Sequence, residues 1–375
     1  GNHYVNLHAA KRAPMSEFWR GRRVFLTGHT GFKGSWLCLL LQRLGAQVAG
    51  YSLPPPTHPS LFEAAGVDCV TATTIGDIRD HLKLADAMVA FAPDIVLHLA
   101  AQSVVLSAYE DPIETFSTNV VGTASVLNAV RRLSGKCAVV NVTTDKVYEN
   151  RGWVWGYRET DELGGRDPYS ASKACAELVA KSFRESYFQG TAESGRIGLA
   201  SARAGNVIGG GDWTPHQLIP DTIAALARSE PVVLRNPQAT RPWQHVLDCL
   251  VGYLALAEAL HTEPGKYAGN WNFGPSEEDV EPVVRVVEML AEPWGVQPAW
   301  VRDSANHPHE AMELSVNARK ANRDLGWHCR LPLATALSWT SGWFRGYLAG
   351  QDARRLCDAQ IEDFIALGVR RGSLP

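Results

Sequence analysis

The sequence is poor in the features that would tie it to a membrane, a nucleic acid or an oxidising compartment. No apolar run approaches the roughly 20 residues needed to cross a bilayer; the stretch from Trp36 to Leu41 stops at Gln42 and Arg43. The N-terminal residues lack the charged and then apolar pattern of a signal peptide. Neither sign of charge dominates: 36 basic against 39 acidic residues give a net charge of -3, so no global field draws in nucleic acid or an anionic membrane, and an anionic ligand has to be held by local groups. The seven cysteines, Cys38, Cys69, Cys137, Cys175, Cys249, Cys329 and Cys357, are scattered and odd in number, with no metal-binding or redox spacing. There is no internal repeat, and the only biased tract is the short Pro54-Pro55-Pro56 turn. The expectation is a cytoplasmic protein with reduced thiols, no metal, and neither nucleic acid nor membrane as a partner.

What is present is enough chain for a large core. A length of 375 residues suggests two parts at about 150 residues per domain. Residues 1 to 14 show no periodicity and read as an extension, disordered or added upstream of a unit that begins near Met15. From there, Val24 to Thr27 reads as a buried strand, followed by a glycine turn. Next comes a helix from Ser35 to Leu44 with Leu37, Leu40, Leu41 and Leu44 at helical spacing, then a strand from Gln47 to Tyr51. Strands over Asp94 to Leu99 and Ala138 to Val142 flank a helical stretch from Pro112 to Arg132. Short apolar strands alternating with longer helices indicate an α/β fold: a Rossmann-type doubly wound parallel sheet. Beyond Ala202 the texture turns to Gly-, Pro- and Trp-rich loops, which reads as a smaller C-terminal α/β cap that binds substrate. The expected division is 15–201 for the Rossmann part and 202–375 for the cap, with some cap segments returning to the body.

Three clusters carry chemistry. Gly28-His29-Thr30-Gly31-Phe32-Lys33-Gly34 lies between the first strand and first helix, where glycines let the backbone approach a pyrophosphate at a helix N-terminus. A tight turn needing one positive φ is the plain alternative, and the strand before and helix after favour the dinucleotide. Tyr169 and Lys173 stand four residues apart on a helix opened by Pro168, hence on one face. A phenol near pKa 10 is a poor base, and a neighbouring ammonium favours its ionised form. Thr143-Thr144-Asp145-Lys146 ends the Val139 to Val142 strand, and open α/β sheets bind ligands at the carboxyl ends of their strands. For Asp145 and Lys146 the plain alternative is a surface salt bridge, worth little.

The Gly-x-x-Gly-x-x-Gly spacing resembles the extended branch of the short-chain dehydrogenase/reductase superfamily. Asp145-Lys146 resembles, within it, the sugar-nucleotide 4,6-dehydratases of the CDP-glucose type, where relatives with other nucleotides carry Asp-Glu. The likeness runs from about Phe18 to Trp343. It includes Val147-Tyr148-Glu149-Asn150, Gly152 to Glu159, Arg203 to Trp213, Arg241-Pro242-Trp243-Gln244-His245-Val246, Trp271 to Pro275 and His307 to Ala311. It implies that Gly28, Thr30, Gly31, Phe32, Lys33, Gly34, Tyr51, Asp77, Ile78, Leu99, Ala100, Ala101, Gln102, Asn119, Thr143, Tyr169 and Lys173 hold the cofactor. The second strand ends Tyr51-Ser52-Leu53, without the acid that usually grips the adenosine ribose and without an arginine for a 2′-phosphate, so NAD over NADP is a preference carried by the resemblance.

The same resemblance implies a mechanism. Tyr169, with Thr144 on the C4 oxygen and Lys173 beside it, deprotonates the C4 hydroxyl as hydride passes to NAD. Lys146 then removes the C5 proton, Asp145 protonates the departing C6 hydroxyl, and hydride returns to C6. Gln102, Arg203, Asn206, Arg235, Arg241, His309 and Glu310 are the implied contacts to a nucleotide sugar, CDP-glucose. Stacking on the base is one use for Trp243 and Trp271, and packing under loops is the ordinary one. Ser103 and Leu106 depart from the proline and arginine usual after Gln102. The helices around Pro112 to Arg132 and Pro168 to Tyr187 are the implied contact of a homodimer or homotetramer. A sugar-nucleotide epimerase or reductase, and a non-catalytic dinucleotide-sensing module, stay open as alternatives; the second has no use for Thr144, Asp145, Lys146, Tyr169 and Lys173.

Overall fold

The computed structural model describes residues 15–189, 196–276, 279–303 and 314–371. Residues 1 to 14 therefore lie outside the described residues. The central sheet is built, in chain order, from β1 (Arg23–Thr27), β2 (Gln47–Ser52), β3 (Ala72–Ile75), β4 (Ile95–His98), β5 (Cys137–Val142), β6 (Ile197–Ala204) and, later, β10 (Gly269–Phe273). Between these last two come β7 (Asn206–Ile208), β8 (Val232–Leu234) and β9 (Thr240–His245), and after them β11 (Val280–Pro282) and β12 (Trp300–Arg302). The seven strands of the main sheet lie in the order β10-β6-β5-β4-β1-β2-β3 and every pairing is parallel. This is the doubly wound order with a seventh strand added outside β6. The strand order reverses between β1 and β4, which puts the ligand crevice above their carboxyl ends.

Both faces of the sheet are covered, which is why β4, β5 and β6 are buried along their whole length and are mainly apolar. One face packs Leu37, Leu40 and Leu41 of the helix Phe32–Arg43 against the helix Val246–Thr262 and the C-terminal helices. The other packs Leu84, Met88, Val126, Val130 and Ala180 from the helices His81–Phe91, Gly122–Arg131 and Pro168–Phe183. β3 is an edge strand with three of its four residues exposed, so it has no apolar signature to find.

Two expectations shift. The helix expected over Pro112 to Arg132 is two helices, Pro112–Phe116 and Gly122–Arg131, joined by a one-turn π-bulge at Ser117–Val121, a distortion that recurs at functional sites. The division between 201 and 202 falls inside β6. The first core also runs without a break into Val246, Trp271 and Trp343, because the helix Val246–Thr262 and β10 complete the sheet. What stands apart is a small cluster around Leu226, Val232, Leu234, Val287 and Ala299, over the sheets β11-β9-β7 and β12-β8.

One contact fastens the 209–211 loop to the body: the Trp36 indole donates to the Gly210 carbonyl at 2.9 Å. A Cβ on Gly210 falls 2.0 Å from the Trp343 ring, and that ring is fully buried. Gly210→Ala is therefore expected to destabilise the chain by about 1–3 kcal/mol through overpacking, read as a lower midpoint in urea; an unchanged midpoint contradicts this packing.

Candidate active site

The glycine turn is forced by close backbone approach. β1 ends at Thr27, and Gly28 follows at φ 80°; a side chain there would sit 2.7 Å from the Ala100 amide nitrogen. A Cβ on Gly34 would fall 2.1 Å from the Gly28 carbonyl oxygen, so only glycine lets the helix Phe32–Arg43 start this near the strand. The turn forms one wall of a cleft of about 1620 Å3, larger than the roughly 300–1,000 Å3 of a single small-ligand pocket.

Gly28, Thr30, Gly31, Phe32, Lys33, Gly34, Asp77, Ile78, Leu99, Ala100, Ala101 and Gln102 all line this cleft, as do Ser103 and Leu106. Two residues expected there stand behind the wall. Tyr51 is fully buried beneath Gly76 and donates to the Asp77 carbonyl at 3.1 Å, so it props the turn. Burial, with Asp80 and Asp77 nearby, pushes its phenol up to about 12. Asn119, in the π-bulge, clamps the Gln102 peptide: it accepts from the amide and donates to the carbonyl, both at 2.9 Å, and donates to Ser172 at 2.8 Å. The Gln102 side chain accepts the Val104 amide of its own loop at 2.6 Å and donates to Thr115 of the helix Pro112–Phe116 at 2.9 Å. The end of β2 carries no charge: Thr30 Oγ1 bonds Ser52 Oγ at 2.8 Å and donates to the Leu53 carbonyl at 2.9 Å.

The second wall joins the end of β5 to the helix Pro168–Phe183, which begins with Asp167 accepting the Ser170 amide at 3.0 Å and proline in its first turn. Thr143, Thr144, Lys146, Tyr169 and Lys173 all line the cleft. Thr144 Oγ1 donates to Asp145 Oδ1 at 3.1 Å, and Lys146 Nζ lies 3.4 Å from the same oxygen. Asp145 itself is fully buried. Its other oxygen has no hydrogen-bond partner and lies 2.9 Å from where a Cβ on Gly205 would be. Asp145 and Lys146 are thus a half-buried pair inside the site.

Lys173 donates to the Val142 carbonyl at 3.0 Å. Burial first, and the Lys33 charge second, lower it to about 7, against the pull of Glu177. Burial raises the Tyr169 phenol above its ordinary value; Asp145 and Asp167 add to this, and the Thr144 hydroxyl opposes it. In the free protein, then, the expected lowering of the tyrosine by its lysine gives way to desolvation, because the lysine is itself held near its midpoint.

On the substrate side the placements diverge. Asn206, Arg235 and Arg241 line the cleft. Arg203 does not: it is fully buried, bound to Glu177 through Nε at 2.8 Å and to the Tyr148 hydroxyl at 2.7 Å. Its charge is paired with a buried carboxylate, outside the cleft lining. Trp271 is also a packing residue, with its indole nitrogen donating to the Tyr267 carbonyl at 2.8 Å, whereas Trp243 lines the cleft. His309 and Glu310 lie outside the described residues. The wall further holds His216, Gln217 and Asp221, which no motif flags. His216 takes φ 62°, a left-handed conformation that non-glycine residues adopt mainly at constrained, often functional, positions. Among the described residues no cluster of three His, Cys, Asp or Glu is placed to hold a metal, and no helix is long and apolar enough to cross a membrane.

The profile of the GDP-mannose 4,6 dehydratase family matches residues 25–338. The chain belongs to this family. A CDP-glucose 4,6-dehydratase of Salmonella typhimurium strain LT2 is 49% identical over 354 residues, covering 94% of this chain and 99% of that protein. A dTDP-glucose 4,6-dehydratase of Xanthomonas campestris pv. campestris is 27% identical over 290 residues, 72% of this chain and 77% of that one. Among solved structures, MoeE5 in complex with UDP-glucuronic acid and NAD aligns with TM-score 0.73 at 25% identity, over 87% of this chain and 99% of that one. The Streptomyces venezuelae dTDP-glucose 4,6-dehydratase DesIV, solved with NAD and TYD, has the same fold, with TM-score 0.74 at 24% identity over 87% and 98% of the two chains.

The depressed Lys173 has a direct test within this family member. Its ammonium is expected to titrate near 7 in the free protein, and Lys33→Met, by removing a positive neighbour, to raise that midpoint. Titration followed by NMR of labelled lysine side chains reads both; a midpoint near the ordinary 10.4, or one unmoved by the substitution, contradicts the assignment.

Proposed function

We propose that the chain is an NAD-dependent CDP-glucose 4,6-dehydratase, a hydro-lyase acting in the cytoplasm that makes CDP-4-keto-6-deoxyglucose. The observation that carries this reading is the convergence in one cleft of Thr144, Lys146, and Tyr169 with Lys173, with Asp145 buried directly behind Lys146, opposite a glycine turn. The cytidine part rests on the near full-length relative with that substrate in its name.

The turn fits a dinucleotide. Gly28 and Gly34 leave no room for side chains, and the helix N-terminus behind them is capped by Gly31 without a side-chain bond, leaving amides for phosphate oxygens. NAD held there by the turn Gly28 to Gly34 would supply a hydride acceptor that can also give the hydride back. The protein's own groups do the rest. Thr144 orients the C4 oxygen and Tyr169 takes its proton. Because desolvation keeps the free phenol neutral, Tyr169 acts as a base only when positive charge stands beside it, and Lys173 carries such a charge once bound phosphates raise it from about 7. The C4 ketone acidifies C5; with the pair's proton on Asp145, Lys146 as the free amine removes the C5 proton and Asp145 as the acid protonates the departing C6 hydroxyl, and once hydride has returned to C6 a proton goes back to C5 from Lys146 or solvent. Arg235, Arg241 and Asn206 hold the nucleotide and sugar. Ile113, Val121, Leu178 and Tyr187 are exposed on the helical layer of one sheet face, which supports pairing of two copies there as a homodimer, alone or within a homotetramer.

Incubation with CDP-glucose deuterated at C4 tests the reaction: the 4-keto-6-deoxy product is expected to carry the label at C6, with no net NADH. Product without label at C6, or accumulation of NADH with no dehydration, sinks the reading.

A further inference from the structure

The wall contributed by β7 and β9 holds polar atoms that the fold leaves without partners. Trp243 is buried, lines the cleft, and its indole N–H has no hydrogen-bond partner. Asn206, which lines the same cleft, has a buried side-chain oxygen in the same condition. The two residues are register partners in the parallel pair of β7 and β9, so their side chains stand on one face of that small sheet, about 4.8 Å apart at the backbone. Next to Asn206, Gly205 faces the unpartnered oxygen of Asp145. Buried donors and acceptors without partners are uncommon in folded proteins, and each costs about 1–3 kcal/mol. Two of opposite kind, side by side on one face and both in the wall of a cleft, point to a ligand.

An indole nitrogen only donates and an amide oxygen only accepts. The group that satisfies both at one point is a hydroxyl, which accepts from the first and donates to the second. We infer that Trp243 and Asn206 together read one hydroxyl of the sugar ring, with Trp243 as its hydrogen-bond donor. The inference rests on the nucleotide-sugar reading above. The C4 and C6 hydroxyls change during that reaction, so the hydroxyl read here is at C2 or C3. Trp243 thereby acts as a specificity-determining residue, and its indole neither stacks on the base nor serves only as packing. A site built to bond a hydroxyl discriminates strongly against a sugar that lacks it, because its own polar atoms are then left unpaired.

The test uses Trp243→Phe, which removes the N–H and keeps an aromatic ring, with CDP-glucose and its 2-deoxy and 3-deoxy analogues. Loss of the bond is expected to lower kcat/KM on CDP-glucose by about tenfold. One of the two deoxy analogues is expected to be a poor substrate for the parent protein and to suffer no further loss in the variant. CDP alone, which has no sugar, is expected to bind parent and variant equally in calorimetry. A tenfold loss that recurs on both analogues means that the indole only packs, and overturns the inference. So does parental activity of the variant on CDP-glucose, or an equal loss of CDP binding. If the parent protein itself makes no 4-keto-6-deoxy product, the reaction assignment fails instead, and sugar binding by calorimetry still decides the role of Trp243.

Discussion

The site depends on one buried carboxylate. Glu177 sits one helical turn beyond Lys173, accepts the Thr143 hydroxyl at 2.6 Å, and is held by the Arg203 guanidinium. It therefore ties three elements together at one point: the end of β5, where Thr144, Asp145 and Lys146 emerge; the helix that carries Tyr169 and Lys173; and β6. Arg203 extends the tie by stacking on Tyr148 at 4.7 Å and bonding its hydroxyl. Tyr148 in turn donates to Asn272 of β10 at 2.7 Å. A network with its partners present is rigid in a low-dielectric interior, whereas one missing partner leaves a buried charge exposed to its full desolvation cost. This is how a parallel sheet can present a threonine from one element and a tyrosine from another to the same small volume.

Around that tie, charge is managed by burial. Lys173 is depressed by desolvation and by Lys33 across the cleft, and Tyr169 is raised by desolvation. The floor beneath the cofactor loop is kept neutral. His98 is buried between Thr27 at 2.7 Å and Thr123 at 3.0 Å, and desolvation holds it down at about 3. Thr27 in turn accepts the Ala100 amide at 3.2 Å. The free site is therefore neither strongly basic nor acidic, and on the proposed reading Lys173 gains the charge that activates the phenol when the ligand's phosphates bind.

Much of this was legible in the sequence. The glycine turn, the strand ending in Thr143, and the Tyr169 to Lys173 spacing all rest on local rules of periodicity and backbone geometry, and the cleft brings them together. What misled was chemistry that depends on packing. Arg203 reads like a phosphate clamp, yet its charge is taken up by Glu177, a residue 26 positions away with no signal of its own. Tyr51 lies at the right strand end but points beneath Gly76. The polar edge strand β3 has no apolar pattern because half its surface is solvent, and Asp145 is buried although both its neighbours line the cleft. Side-chain direction and the partner of a buried charge are set by tertiary contacts, which periodicity does not encode.

The claim that one ion pair holds the reacting strand end in register with its helix is tested most directly by a double-mutant cycle on unfolding free energy. Glu177→Gln and Arg203→Met are each expected to cost about 3–5 kcal/mol, since each strands a buried charge or its partners. The double variant is expected to fall short of the sum by about 2 kcal/mol or more. Single costs under about 1 kcal/mol, the range of an exposed pair, or costs that simply add, would contradict the account.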